Sequence, residues 1–174
     1  MNFQWDNLFR SSAREQKLIS KLRENMLFKD LSTRELRLVE NIVNIRTYRP
    51  GEVVFRQGDA GVGMYIISKG MVNIYTEAVD AATTEVSTSQ VTSLREGDFF
   101  GDLALVDPGN RRSASAVAGE ETTLIGFFKP DLIEIADRNP TAGVKILLRL
   151  GEVLGVRLRE TTLKISELKK DLPA

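Results

Sequence analysis

Phe99-Phe100-Gly101-Asp102-Leu103-Ala104-Leu105-Val106-Asp107-Pro108-Gly109-Asn110-Arg111-Arg112-Ser113-Ala114-Ser115-Ala116 is the stretch whose reading decides the rest. Gly101 permits a backbone turn that a residue with a Cβ resists. Asp102 to Leu105 are then predicted to form one short helical turn, whose first N–H groups have no partner inside the turn. Such free donors, at the positive end of the peptide dipoles, suit an anion. Pro108-Gly109 reverses the chain. Arg112 returns at the head of an alternating stretch, and its guanidinium can meet a phosphate through two parallel hydrogen bonds. Taken singly, Gly97 and Gly101 are turn glycines, Arg112 a surface arginine, and Leu103, Ala104 and Leu105 core residues. Arg111 is a second candidate for the phosphate if the loop is one residue shorter.

Upstream, residues 11–28 carry Leu18, Ile19, Leu22, Met26 and Leu27 at helical spacing. Ser32-Thr33-Arg34-Glu35 reads as a capping box, opening a second helix that runs to about Ile42. Trp5, Leu8 and Phe9 precede both, either packing on the domain or forming a docking arm. From Val43 the period changes to two. Ile45-Tyr48, Val53-Phe55, Met64-Ile67 and Met71-Tyr75 are divided by Arg49-Pro50-Gly51-Glu52, Gln57-Gly58-Asp59-Ala60-Gly61 and Lys69-Gly70. Short β-rich runs between glycine turns predict a sandwich or barrel. Glu77 to Gln90 is rich in Thr, Ser and Ala and reads as a loop or a loose hairpin. Arg95-Glu96-Gly97-Asp98 is a further tight turn. Thr122 to Phe128 supplies a last strand, and Lys129-Pro130 opens a helix with proline at a tolerated first-turn position.

From Pro140 the chain reads as helix almost to its end. Leu147, Gly151, Leu154, Leu158, Thr161, Ile165, Leu168 and Leu172 alternate by four and three, the a/d pattern of a helical seam. Two readings follow: an amphipathic helix lying on its own β-structure, or a parallel homodimer seam. The second is favoured, because the track outruns what a small domain covers. The expected organisation is α+β: an N-terminal helical segment (1–28), a jelly-roll-like β-roll or double-stranded β-helix (29–138), and a long C-terminal helix (139–174).

Composition narrows the function. Lysine plus arginine and aspartate plus glutamate number 24 each in 174 residues; a balanced chain argues against nucleic acid as the main partner. There is no cysteine and no histidine. Disulfides, thiol nucleophiles, imidazole-dependent triads and the usual zinc sites are therefore excluded. No paired acidic motif stands out for acid–base catalysis, no loop has calcium-binding spacing, and neither an enzyme nor a metal site is expected. No apolar run approaches the length of a membrane span. Met1 to Asp6 has no basic-then-apolar signal pattern, which points to a cytoplasmic protein.

The stretch from Phe100 resembles the phosphate-binding cassette of the cyclic nucleotide-binding domain family. That family's pattern, Phe-Gly-Glu-Leu-Ala-Leu, a short loop, then Arg-Ser/Thr/Ala-Ala, stands here as Phe100 to Leu105, a six-residue loop, and Arg112-Ser113-Ala114. The likeness extends from about Leu27 to Leu168. It implies a β-roll whose ligand is cAMP or cGMP. Phe100, Gly101, Asp102, Leu103, Ala104, Arg112 and Ser113 would form the ligand site: Arg112, Ser113 and the amides of Leu103 and Ala104 take the phosphate, and Asp102 the ribose 2′-OH. The family places glutamate at that last position. Aspartate keeps the charge but loses about 1.5 Å of reach, so a weaker or altered ribose contact is expected. Residues of the C-terminal helix cover the base in relatives; Arg157 and Thr161, with Thr162 or Arg159, stand where they could do so. Ser113, where cGMP-selective relatives often carry threonine, leans toward cAMP. Bacterial relatives also dimerise through this helix and carry a helix-turn-helix after it; here four residues follow Lys170, so no DNA-reading module is expected. The resulting expectation is a sensor that relays ligand binding through the helix to an effector protein. The alternative is a ligand-free roll serving as an interaction module.

Overall fold

The computed structural model describes residues 16–79, 86–107, 109 and 111–170. In chain order these form helix α1, described over 16–24, and α2 (Thr33–Glu40). Eight strands follow, β1 (Asn44–Tyr48), β2 (Val53–Phe55), β3 (Gly63–Lys69), β4 (Met71–Val79), β5 (Val86–Arg95), β6 (Phe99–Phe100), β7 (Ser115–Ala118) and β8 (Thr122–Phe128). Then come α3 (Lys129–Arg138) and α4 (Pro140–Lys170). The strands make two antiparallel four-stranded sheets, ordered β1-β8-β3-β6 and β2-β7-β4-β5. This is the α+β β-roll with flanking helices that the sequence predicts.

Three of the strand connections share one chemical device. In Arg49-Pro50-Gly51-Glu52, Arg56-Gln57-Gly58-Asp59 and Arg95-Glu96-Gly97-Asp98 the glycine has φ of 78°, 84° and 93°. The acidic side chain three residues on accepts from the arginine N–H, at 3.0, 2.8 and 2.8 Å. Positive φ at the third position of a four-residue turn is what glycine supplies, and the carboxylate occupies a donor that the strand has just released. The last of these turns leads directly into the cassette, and the one at Arg56–Asp59 is hydrogen-bonded to the backbone of Arg112.

The core is in two parts. Between the sheets lie Tyr48, Ile67, Val72, Phe100, Ala116, Ala118 and Leu124. The larger part joins one sheet to the helices through Leu22, Phe28, Leu36, Phe127, Ile135, Ile146 and Leu150. Phe28 meets the Phe127 ring edge-on at 5.3 Å, a favourable geometry for two aromatic quadrupoles.

The predicted capping box is present: Glu35 N–H donates to Ser32 Oγ at 3.3 Å and Ser32 N–H to Glu35 Oε2 at 2.7 Å. The N-terminal helix ends sooner than its apolar spacing predicts. Asn25 Oδ1 accepts from Leu27 N–H at 3.0 Å, and Phe28 and Leu31 N–H reach back only three residues. A short amide side chain competes with the helical ladder in this way. The chain therefore turns from residue 25, leaving Met26 half exposed while Leu27 and Phe28 are buried. Residues 11–15, the aromatic segment around Trp5, and Leu172 lie outside the described residues. The Ser/Thr-rich stretch is an extended hairpin: β4 and β5 pair from Met71↔Arg95 to Val79↔Val86. Nearly all of β5 is exposed, so no one-sided burial imposes the alternation by which a strand is recognised in sequence.

The first half of α4 is tied to the N-terminal region by two charged links. Lys145 Nζ donates to both oxygens of the buried Glu35, at 2.9 and 2.8 Å. Arg149 pairs with Asp30 at 2.5 Å. The Lys145 ammonium holds the Glu35 carboxyl below the usual glutamate range, against the opposing effect of burial. A lowered folded-state pKa stabilises above the ordinary carboxylate pKa, and that contribution fades as pH falls through the folded value. Lys145→Met is thus expected to cost about 1.5–3 kcal/mol in urea unfolding at pH 7. The gap between mutant and wild type should close below about pH 4.

Candidate functional site

Strand β6 ends at Phe100, and Gly101 adopts φ 75°, turning the chain into a 3-10 helix over Asp102–Leu105. The predicted single turn is therefore formed. Glycine is required there twice over: by the left-handed φ, and because a Cβ would meet Arg112 Nη1 at 2.5 Å. Arg112 approaches from the far side of the loop. Its backbone is fixed by the glycine turn after β2, with Arg112 N–H to Asp59 O at 2.9 Å and Gly58 N–H to Arg112 O at 2.8 Å.

The Arg112 side chain points inward. It is 7% exposed, with Nη2 donating to Gly63 O at 2.8 Å and Nη1 to Gly101 O at 3.2 Å. Its Cζ lies 4.0 Å from the Phe55 ring centroid and 5.9 Å from that of Tyr65. Among the described residues it forms no ion pair, and its Nε is buried without a partner. Burial pushes its pKa down, with Tyr65 and Asp59 opposing through space. A buried cation bonded to two carbonyls, with its Nε left without a partner, is costly to maintain unless something else uses it.

Asp102 is 2% exposed. Its Oδ1 accepts from Nη1 of Arg157, on α4, while its Oδ2 is buried and has no hydrogen-bond partner. Arg157 also lies over the Phe99 ring, 5.0 Å from the centroid, and Nη2 reaches Phe99 O at 3.4 Å. Asp102, Arg112 and Arg157 face one cavity of about 270 Å³. Ile74, Thr92 and Leu94 wall it from the second sheet, and Arg111, Ser113 and Asp107 stand at its polar side.

The predicted residues are thus brought together, with three differences. Ala104 N–H is already donated to Gly101 O at 3.2 Å, so it is not the free donor that the sequence suggests; the turn closes one residue earlier as 3-10 than it does as α. Thr161 is exposed, bonds back to Arg157 O at 2.8 Å and does not line this cavity. Arg111 is exposed and spends Nη1 on Gly58 O at 2.9 Å, leaving Arg112 as the inward guanidinium. The Pro108-Gly109 turn lies partly outside the described residues. Phe55 and the Asp102–Arg157 pair were not legible as site features. Only the sheet-to-sheet packing and the register of α4 reveal them.

A two-sheet β-roll with a glycine-initiated turn facing an inward arginine defines a small-anion binding module. Residues 45–139 match the model of the cyclic nucleotide-binding domain, and the chain belongs to that family. It is 32% identical over 142 residues to the cyclic AMP receptor protein of Thermus thermophilus, covering 82% of this chain and 61% of that protein. It is 33% identical over 112 residues to a cAMP-dependent protein kinase regulatory subunit from Debaryomyces hansenii, covering 64% of this chain and 22% of that one. The chain thus spans less than two thirds of either relative. The crystal structure of the Thermus thermophilus catabolite activator protein superposes with a TM-score of 0.72 at 30% identity, over 83% of this chain and 63% of that one. A cyclic nucleotide-binding domain from Methylobacillus flagellatus shares the fold at a TM-score of 0.74.

Gly101→Ala is expected to lower stability by about 1–2 kcal/mol from the left-handed backbone alone, read as a fall of several degrees in Tm. Gly109→Ala, with no positive φ and only Asp107 Oδ1 at 3.4 Å from the added Cβ, serves as the control that should melt like the wild type.

Proposed function

We propose that this chain is a cyclic nucleotide sensor, with cAMP the preferred ligand, that passes ligand occupancy through α4 to a partner protein. The observation that carries the reading is that two residues lining one cavity, Arg112 and Asp102, each keep a buried side-chain atom without a hydrogen-bond partner, the donor Nε and the acceptor Oδ2. A cyclic nucleotide supplies the complement of each, a singly charged phosphodiester and a ribose hydroxyl. Three guanidiniums and two carboxylates line the cavity, leaving one positive charge for one negative ligand.

In this reading Arg112 takes the phosphate, with Ser113 and the Leu103 amide beside it. Asp102 accepts the ribose 2′-OH at Oδ2 while Arg157 keeps Oδ1. The Arg157 pair turns the short aspartate toward the cavity and offsets the missing methylene. The preference for cAMP is supported by Ser113 and by the cyclic AMP receptor protein among the relatives. Because Arg157 sits on α4, filling the cavity acts on the helix directly, the differential contact that a two-state element needs.

The same reading includes a homodimer through α4. Ala142, Ile146, Leu150 and Val153 are buried against the protein's own body, whereas Leu147, Leu158, Ile165 and Leu168 on the predicted seam are 44%, 69%, 49% and 59% exposed. Gly151 and Gly155 have nothing within 4 Å of an added Cβ, which leaves room for a second helix to come close. An apolar row of this length is what a partner helix would cover.

Calorimetric titration with cAMP and cGMP tests the ligand. The wild type should bind, and Arg112→Ala should lose the affinity entirely over the accessible range. A flat wild-type response to both nucleotides into the millimolar range would favour the ligand-free interaction module instead. Leu158→Asp tests the seam more cleanly than Leu154→Asp, because Leu154 also packs on the protein's own core. Sedimentation should show dimers for the wild type and monomers for Leu158→Asp; an unchanged dimer places the interface elsewhere.

A further inference from the structure

We propose that Phe55 is a positioning residue for Arg112: its ring face holds the guanidinium in place without taking up its charge. The inference rests on the reading of Arg112 as the phosphate partner. A buried arginine is ordinarily held by a carboxylate. Here Arg112 has none among the described residues. What surrounds it is two backbone carbonyls and a set of rings. Cζ lies 4.0 Å from the Phe55 centroid, within the range where a ring quadrupole attracts a cation. Phe55 is itself braced by Phe100 at 5.7 Å and Tyr65 at 6.0 Å, and those two stack at 5.6 Å. The three rings come from β2, β3 and β6, so both sheets build the support.

The local backbone serves the same end. The register of β2 against β7 slips between Val53 and Phe55, and a bulge of this kind re-aims the side chain that follows it. The chemistry explains why a ring is better than a carboxylate. An acidic side chain would orient the guanidinium equally well but would neutralise it and compete with the phosphate. A neutral ring fixes the plane by its quadrupole and leaves the whole positive charge, and Nε, for the ligand.

The test is a titration of wild type, Phe55→Leu and Phe55→Tyr with cAMP and with cGMP, together with the NMR resonance of the Arg112 Nε–H. Phe55→Leu keeps an apolar side chain of similar size but no ring, and should weaken binding of the better ligand about tenfold. Phe55→Tyr keeps the ring and should stay within about threefold of wild type. The Nε–H resonance should be shifted by the ring current in wild type and Phe55→Tyr and return toward the free-arginine position in Phe55→Leu. A structural role alone would not move that signal in step with affinity. Wild-type affinity in Phe55→Leu, or an equal loss in Phe55→Tyr, would overturn the proposal. So would an unshifted resonance in the wild type, which needs no variant to fold. Should the wild type bind neither nucleotide, the sensor reading fails, and the resonance still decides whether the ring holds the arginine.

Discussion

A guanidinium buried with no carboxylate paired to it among the described residues is the constraint on which the site depends. Water is removed from Arg112 by the sheets, and the described residues return two carbonyl oxygens and the faces of aromatic rings. Each neighbour is shaped by that demand. Gly101 must lack a Cβ so that Nη1 can reach its carbonyl. Gly63 must lack one because β8 passes too close, with Phe127 O 2.4 Å from where the atom would stand. The turn at Gly58 and Asp59 anchors the arginine's backbone. The cassette and the β-roll are therefore one construction.

The second tension is carried by Asp102, a carboxylate almost without solvent and with one oxygen bonded to a residue of α4. It joins the cavity to the long helix through a single side chain. Past Val153 the described side chains of α4 are half exposed or exposed, and Arg157 reaches back to the sheet on that stretch. The helix is thus fixed to the body by apolar packing and by Lys145 and Arg149 along its first half. Beyond that it is steadied by an ion pair whose acidic partner lies in the cavity.

Much of this was legible in the residues. The cassette pattern, the capping box at Ser32 and the glycine turns are local devices, in which the residues that matter lie within a few positions of one another. The short helical turn and the inward arginine follow from them, and the long helix from the four-and-three spacing that begins at Leu147. What stayed hidden depended on contacts between distant segments. The Asp102–Arg157 pair needs the rotational phase of α4, which a seven-residue repeat does not give. Phe55 reads as one more core residue of a short strand until the bulge aims it at Arg112. Between a loop and a loose hairpin for Glu77 to Gln90 the residues do not decide, because β5 is exposed along nearly its whole length. Asn25 ended α1 early because a polar side chain in an apolar-spaced run chose its own backbone.

One consequence follows from how far α4 extends. At 1.5 Å per residue, the part beyond Val153 reaches roughly 25 Å, so a tilt of about 10° there would swing the tip by about 4 Å. The helix is in that sense a pointer with two arms of similar length, about 20 Å packed on the domain up to Val153 and about 25 Å beyond it. A tilt of that size would move the far end by about the width of a side chain, with no melting or refolding of any element.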